Sequence, residues 1–382
     1  MKIGILTFHR AINYGAFLQA YSLLERLKED FPEDKIEIID YNSKSREVFI
    51  KKCPLIFLYR RSIREGIQKY IQTKEFKKSL QHLNLSKVFL SCSNTKIEEY
   101  IENTYDIVVV GSDAVFNWND IGLPNPYFLE GIGGLIKVSY AASAHLQKYD
   151  ETTVEQKNYL QKALQDFSYI GVRDISTARF VNGMLKQEKA RHNCDPSIFL
   201  DMRFSSMNLL KKMNRHKFDF SKKTIFVMLM NSQYGQYIKK YFGEKCQIVA
   251  LMDGNKFADL YLYDLNPFEW AHVFRYGHCL VTDYFHGTIF ALKNQIPVMS
   301  IDASKYSDSC YESKAKDLLI TRLGLPDLYV NAEELSGTDG YNVFSKRMGK
   351  ILDTFNSEKI GKKMEKESES YNDFRKFLDV LH

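Results

Sequence analysis

The sequence predicts an α/β protein made of two Rossmann-like domains facing across a cleft. Short apolar runs recur between segments of helical spacing, the pattern of strands in a parallel, doubly wound sheet. That alternation weakens near residues 201–220, where Lys211, Lys212, Arg215, His216 and Lys217 cluster, and then restarts. A chain of 382 residues also exceeds one ordinary core, so two domains are expected.

The elements follow in order. Lys2–Thr7 reads as a strand, and Ala16–Asp30 as a helix with Leu18, Tyr21, Leu24 and Leu27 on one face. Strands are expected at Lys35–Asp40, Tyr105–Val110, Ile136–Ala142 and Tyr169–Val172, with a helix over Thr152–Phe167. Residues 44–94 form a basic insertion, expected to be helical and partly exposed. Past the boundary come strand Thr224–Met230, helix Gln233–Phe242 and strand Gln247–Met252. Asn266-Pro-Phe-Glu269 opens another helix with the residues of a capping box, and Gly277 closes it. Cys279-Leu280-Val281 is a short apolar run of the kind a parallel sheet buries on both faces. The expected domains are 1–205, 206–340, and a Lys- and Glu-rich helical segment 341–382 crossing back to the first domain.

Composition excludes several classes. At 45% hydrophobic and 26% charged, with no long apolar run, the chain reads as a soluble globular protein. The first residues enter a strand directly and lack a signal peptide's apolar segment, so a cytoplasmic location is expected. Cys53, Cys92, Cys194, Cys246, Cys279 and Cys310 form no C-x-x-C pair and read as free, mostly buried thiols. No metal-ligand cluster stands out. Residues 44–78 hold eleven Lys/Arg against three acids, a net +8 that leaves −2 for the rest of the +6 chain. The basicity is therefore local and no argument for nucleic acid, for which no motif is present. With Pro54–Tyr59 as an apolar wedge beside Arg60 and Arg61, it is compatible with peripheral contact with an anionic membrane face, or with a solvated helical face.

Four segments could carry chemistry. Val281-Thr-Asp-Tyr-Phe-His-Gly-Thr288 is a strand end followed by a turn that presents His286 at the mouth of a helix. Asp283, His286, Gly287 and Thr288 together suit an anion and proton transfer better than a self-capping turn. Asn13, Tyr14 and Gly15 follow the first strand and open the first helix, either as a phosphate or substrate cradle or as a simple turn. Gly111-Ser112-Asp113 ends an apolar strand, and Asp113 either accepts sugar hydroxyls or caps the next turn. The run Phe116-Asn-Trp-Asn119 beside it could wall a sugar ring. Arg173, at another strand end, suits a carboxylate or phosphate, or else an ion pair with Asp174 or a nearby acid; Asp195-Pro-Ser197 reads as an architectural turn.

These segments resemble the polysaccharide pyruvyl transferase family. Its members carry Asn-Tyr-Gly-Ala-x-Leu-Gln-Ala-Tyr, matched by Asn13–Tyr21, and Gly-Ser-Asp-x-x-Trp-Asn, matched by Gly111–Asn117. A Ser-Tyr-Ala-Ala-Ser stretch, a Val-Arg pair, an Asp-Pro turn and Thr-Asp-Ser-Phe-His-Gly are matched by Ser139–Ser143, Val172-Arg173, Asp195-Pro196 and Thr282–Gly287. The matches are collinear over about residues 1–300. Ala114, Phe116 and Tyr284 depart from the usual Gln, Trp and Ser, at presumed substrate walls.

The resemblance implies a glycosyltransferase-B-like fold and an enzyme of capsule or exopolysaccharide synthesis. Phosphoenolpyruvate would be the donor, and the product a pyruvate ketal across two hydroxyls of a glycan that is lipid-linked or polymeric. No cofactor is implied. His286 would move protons and Arg173 would bind the donor, with Asn13, Tyr14, Gly15, Ser112, Asp113, Asp283, Gly287 and Thr288 lining the substrates. Two rivals share the fold: a glycosyltransferase using sugar nucleotides, and a non-catalytic sugar-binding protein.

Overall fold

The computed structural model describes residues 1–90, 94–119, 122–145, 147–203, 207–303 and 312–382. Cys92 and Cys310 lie outside the described residues; Cys53, Cys194 and Cys279 are buried free thiols, and Cys246 is half-buried and free.

The first part runs β1 (Lys2–Leu6), α1 (Tyr14–Asp30), β2 (Lys35–Ile38), α2 (Lys44–Arg60), α3 (Ile63–Ser79), α4 (Asn94–Glu102), β3 (Ile107–Val110), β4 (Ile136–Ala142), α5 (Val154–Gln165), β5 (Phe167–Val172), α6 (Ile175–Leu185) and β6 (Ala190–His192). The second continues with α7 (Met207–Arg215), β7 (Lys223–Met228), α8 (Gly235–Phe242), β8 (Cys246–Ala250), β9 (Leu260–Tyr261), α9 (Pro267–Val273), β10 (Cys279–Thr282), α10 (Phe285–Lys293), β11 (Val298–Asp302), α11 (Lys314–Lys316) and β12 (Tyr329–Asn331). A π-helical turn, Asp317–Arg322, extends α11, and α12 (Gly340–Thr354), α13 (Ser357–Ser368) and α14 (Tyr371–Asp379) follow.

Each half holds a six-stranded sheet, ordered β2-β1-β3-β4-β5-β6 and β12-β11-β10-β7-β8-β9, with every pairing parallel. Both are doubly wound, and the strand order reverses between β1 and β3 in the first and between β7 and β10 in the second. Crevices at such reversals, outside the carboxyl ends of the strands, are where these sheets bind ligands. The central strands are apolar throughout: Ile107–Val110 and Cys279–Val281 are fully buried, as strands covered on both faces require.

The chain divides into two compact units, one of Met1–Ile67, Phe76–Leu200 and Ser368–His382, the other of Gln68–Glu75 and Asp201–Glu367. The helices after residue 340 were expected to cross back to the first domain. Only Ser368–His382 joins it, because Phe344 of α12 packs on Tyr237 and Tyr241 of the second unit, 5.9 and 6.1 Å between ring centroids. In the first unit, α14 lays Phe374 and Phe377 against Tyr140 and Tyr169 of the sheet. The basic cluster taken as a domain boundary includes the end of helix α7. Its Lys212 donates to Glu75 (2.9 Å), Glu269 (2.7 Å) and the Asp264 carbonyl (2.7 Å). Two acids and a carbonyl hold that ammonium in place, a pattern no local periodicity reveals.

Candidate active site

In the second unit the β10–α10 turn is built from side chains that serve the backbone. Thr282 Oγ1 donates to the Met228 carbonyl (3.0 Å) and accepts from the Tyr284 N–H (2.9 Å), which locks β10 to β7 at the reversal point. Asp283 accepts from the N–H groups of Met230 (2.9 Å) and Asn231 (3.3 Å) in the loop after β7. Burial raises the Asp283 carboxyl above its usual range, and these N–H groups offset that only in part. Gly287 is needed for closeness: a Cβ there would meet Thr282 Oγ1 at 2.9 Å and Met228 Sδ at 3.3 Å. Thr288 is fully buried and bonds Ser300 Oγ at 2.9 Å, tying α10 to β11. Thr288 and Gly287, expected among the substrate contacts, both shape this turn.

His286 lies on the same turn. Its imidazole is half-buried on the first turn of α10, edge-on to Phe285 at 5.4 Å. Tyr284, at the N-cap, provides no side-chain cap to this turn. On the neighbouring strand end, Asp302 accepts from Tyr329 Oη (2.8 Å) and from Ser313 Oγ. The sequence reading missed this carboxylate. Its signal was available: an acid closing the apolar run Val298–Ile301.

In the first unit α1 behaves differently. Asn13 Oδ1 accepts from the N–H groups of Gly15 (3.0 Å) and Ala16 (3.3 Å), so the helix carries its own side-chain cap. Tyr14 stacks on Phe76 at 6.3 Å. The end of β1 instead gathers a cluster the sequence reading overlooked. His9, fully buried, contacts Asp40 through Nε2 (3.0 Å), and Arg10 forks onto the same carboxylate at 2.5 and 2.6 Å. Burial raises the Asp40 carboxyl, but bonds from Arg10 and His9 outweigh it and hold it below its ordinary range. His-Arg just past the first strand, with an acid ending the second, was the available clue.

At the end of β3 the chain turns sharply through Gly111-Ser112-Asp113. Gly111 has φ +127°, and a Cβ there would lie 2.1 Å from the Tyr140 carbonyl oxygen. The Ser112 carbonyl accepts from Thr7 Oγ1 at 3.3 Å, bridging β1 and β3 at their reversal point, while Ser112 Oγ is buried without a hydrogen-bond partner. Asp113, φ +74°, keeps its carboxylate partly exposed, 3.8 Å from Arg173. Phe116 and Trp118 are buried, packed on Phe128 (5.0 Å) and Phe180 (5.6 Å). They form core and not a sugar-ring wall.

Arg173 is 5% exposed and engaged by acids. Nη1 donates to Asp195 Oδ2 at 3.0 Å, and that oxygen also accepts from Gln19 Nε2 at 2.5 Å. Asp195 further takes both the N–H and the hydroxyl of Ser197, making this turn a buried polar hub. Asp174 caps α6 through Thr177 and accepts from Ser143 Oγ at 2.7 Å. Burial lowers the Arg173 guanidinium, but attraction to Asp195, Asp113 and Asp174 more than restores its charge. One cation among three carboxylates leaves net negative charge. The ion pair offered as the alternative to donor binding is thus present, with Asp195 at 3.0 Å and Asp113 at 3.8 Å.

Two parallel doubly wound sheets, a reversal point in each and polar strand ends define a two-domain fold of glycosyltransferase-B type. Solved structures agree on the fold alone. UGT89C1 of Arabidopsis thaliana is 9% identical with a TM-score of 0.54, covering 100% of this chain and 99% of its own. A putative UDP-N-acetylglucosamine 2-epimerase from Listeria monocytogenes is 9% identical with a TM-score of 0.53, covering 97% and 94%. The UDP-GlcNAc 2-epimerase from Neisseria meningitidis, bound to UDP-GlcNAc, is 10% identical with a TM-score of 0.51, covering 98% and 100%. No curated protein matches the sequence. The sequence model of one family, polysaccharide pyruvyl transferase, matches residues 13–305. The chain belongs to that family and is an enzyme of polysaccharide pyruvylation.

Proposed function

We propose that this enzyme moves the enolpyruvyl group of phosphoenolpyruvate onto two hydroxyls of a sugar in a capsular or exopolysaccharide precursor, forming a cyclic pyruvate ketal. The observation that carries the reading is His286: a half-buried imidazole on the first turn of α10, at the reversal point of its sheet, in a chain of the pyruvyl transferase family. One sugar oxygen bonds to the central carbon of phosphoenolpyruvate, and its methylene gains a proton to become methyl. The second oxygen closes the ring as the C–O bond to phosphate breaks, and phosphate leaves with the other hydroxyl proton. Histidine is suited to both giving and taking a proton in such a sequence. The first-turn N–H groups of α10 suit the donor's anionic oxygens. Arg173, paired with Asp195 and Asp113, is a positioning residue for those two carboxylates. The transfer is redox-neutral, so its balance requires only donor and acceptor.

Mass spectrometry of lipid-linked and free glycans incubated with phosphoenolpyruvate tests the proposal. The expected result is a gain of one pyruvate ketal with an equal amount of phosphate released. Consumption of a UDP- or GDP-sugar, with phosphoenolpyruvate untouched, would replace it with sugar transfer.

A further inference from the structure

Of the fifteen large apolar side chains left exposed among the described residues, ten fall between Val48 and Phe89, within the basic insertion. Their placement is regular. In α2, Ile50 and Cys53 are buried, while Val48, Leu55 and Tyr59 recur at spacings of seven and four on the opposite side, with Lys52 between them. In α3, Ile63, Ile67 and Tyr70 form a second exposed stripe at spacings of four and three. The turn Arg61-Ser62 joins the two helices, which pack closely: a Cβ on Gly66 would lie 2.9 Å from Leu58 Cβ. Leu55 (55% exposed), Tyr59 (86%) and Ile63 (69%) thus flank one hairpin tip. Lys51, Lys52, Arg61 and Arg64 are exposed around them. The apolar run Pro54–Tyr59 is therefore no single wedge, since Ile56 and Phe57 are partly covered and Arg61 lies over the Phe57 ring at 4.6 Å.

A helix with an apolar stripe facing water and cations beside it is complementary to an anionic bilayer, where apolar groups enter the acyl boundary and Lys/Arg meet the headgroups. We infer that the α2–α3 hairpin is the element by which the enzyme docks on an anionic lipid surface. The charge over residues 44–78, eleven cations against three acids, selects that occupant over a neutral one. The inference rests on the proposed function only in giving the docked enzyme a lipid-linked glycan to modify; the binding itself needs neither donor nor acceptor. Among the described residues no helix is long and apolar enough to cross a membrane, so any attachment through them would be peripheral.

The test is sedimentation of the full chain with phosphatidylcholine vesicles and with mixed phosphatidylcholine–phosphatidylglycerol vesicles, at low and high salt. The wild type is expected to pellet with the anionic vesicles alone and to be partly released by salt. Two variants, Leu55→Ser/Tyr59→Ser/Ile63→Ser and Lys51→Glu/Lys52→Glu/Arg64→Glu, are each expected to weaken partitioning at least about tenfold. Both should keep the wild-type circular dichroism spectrum and phosphate release with a water-soluble acceptor. Wild-type protein remaining in the supernatant throughout would overturn the inference, as would variants that pellet like wild type. A wild-type dimer that the apolar variant dissociates, without vesicle binding, would assign the tip to a second copy and also overturn it. Loss of vesicle binding with intact pyruvyl transfer leaves the proposed function standing; vesicle binding without transfer does the reverse.

Discussion

Arg173→Met separates a positioning role from donor binding. Asp195 is 2% exposed and Arg173 is its cationic partner at 3.0 Å, so removing the guanidinium takes that cation from a buried carboxylate that also accepts from Gln19 and Ser197. Breaking a buried pair from one side costs about 3–5 kcal/mol, whereas replacing both charges is near neutral. Urea unfolding should therefore show a loss of that order for Arg173→Met and recovery of most of it in Arg173→Met/Asp195→Asn. Arg173→Lys should fall between, because an ammonium can reach Asp195 but cannot also present a planar fork toward Asp113. In steady-state phosphate release, the KM for phosphoenolpyruvate should stay near wild type while kcat falls as Asp113 loses its anchor. The opposite pattern refutes the reasoning: a single variant as stable as wild type, with a strongly raised KM for phosphoenolpyruvate, would make Arg173 a donor ligand.

His286→Ala should lower phosphate release by roughly 10²–10⁴-fold, the range for a positioned proton-transfer group, with an unchanged melting curve; near-wild-type turnover removes the assignment. Gly287→Ala should cost about 1–3 kcal/mol, because the new methyl meets a Thr282 hydroxyl already held by two hydrogen bonds, and turnover should fall further as His286 shifts with its turn. Wild-type melting temperature and rate in that variant would show that the turn can yield. His272 is 1% exposed, and burial, then Arg275, push its imidazole down to about 4 from 6.5. Its folded-state value is depressed, so the stability it contributes is present above pH 6.5 and lost as pH falls from there through about 4. Thermal melts across that window should decline less steeply in His272→Gln than in wild type, and parallel curves would exclude this histidine as the cause.

What was legible in the sequence was what short spacing determines. The capping box at Asn266–Glu269 is present in full, with bonds of 2.8 and 2.9 Å, because both partners lie within one helical turn. The buried strands announced themselves as apolar runs. The strand, turn and helix start around His286 were legible because they are contiguous. What the sequence hid was the direction in which each polar side chain spends its hydrogen bonds. Arg173 meets Asp195 and Gln19 reaches the same carboxylate from 176 residues away; Asp283 serves N–H groups 52 and 53 residues earlier. Whether a strand-end acid faces a ligand or a neighbouring loop is set by such pairings. Phe116 and Trp118 misled for a related reason: an aromatic beside an acid looks the same whether it stacks on a sugar or on Phe128 and Phe180.

The return of Ser368–His382 to the first unit imposes an order on synthesis. Tyr140 and Tyr169, on the first sheet, are covered by Tyr371, Phe374 and Phe377. Those covering rings leave the ribosome only after every residue of the second unit has been made. Domains generally fold as units during translation, but here the unit begun first is finished last. While Asp201–Glu367 emerges, the first sheet carries an open aromatic face that only the final helix closes. The nascent chain thus passes through a stage in which its second unit can be complete while its first, older unit still has an uncovered core.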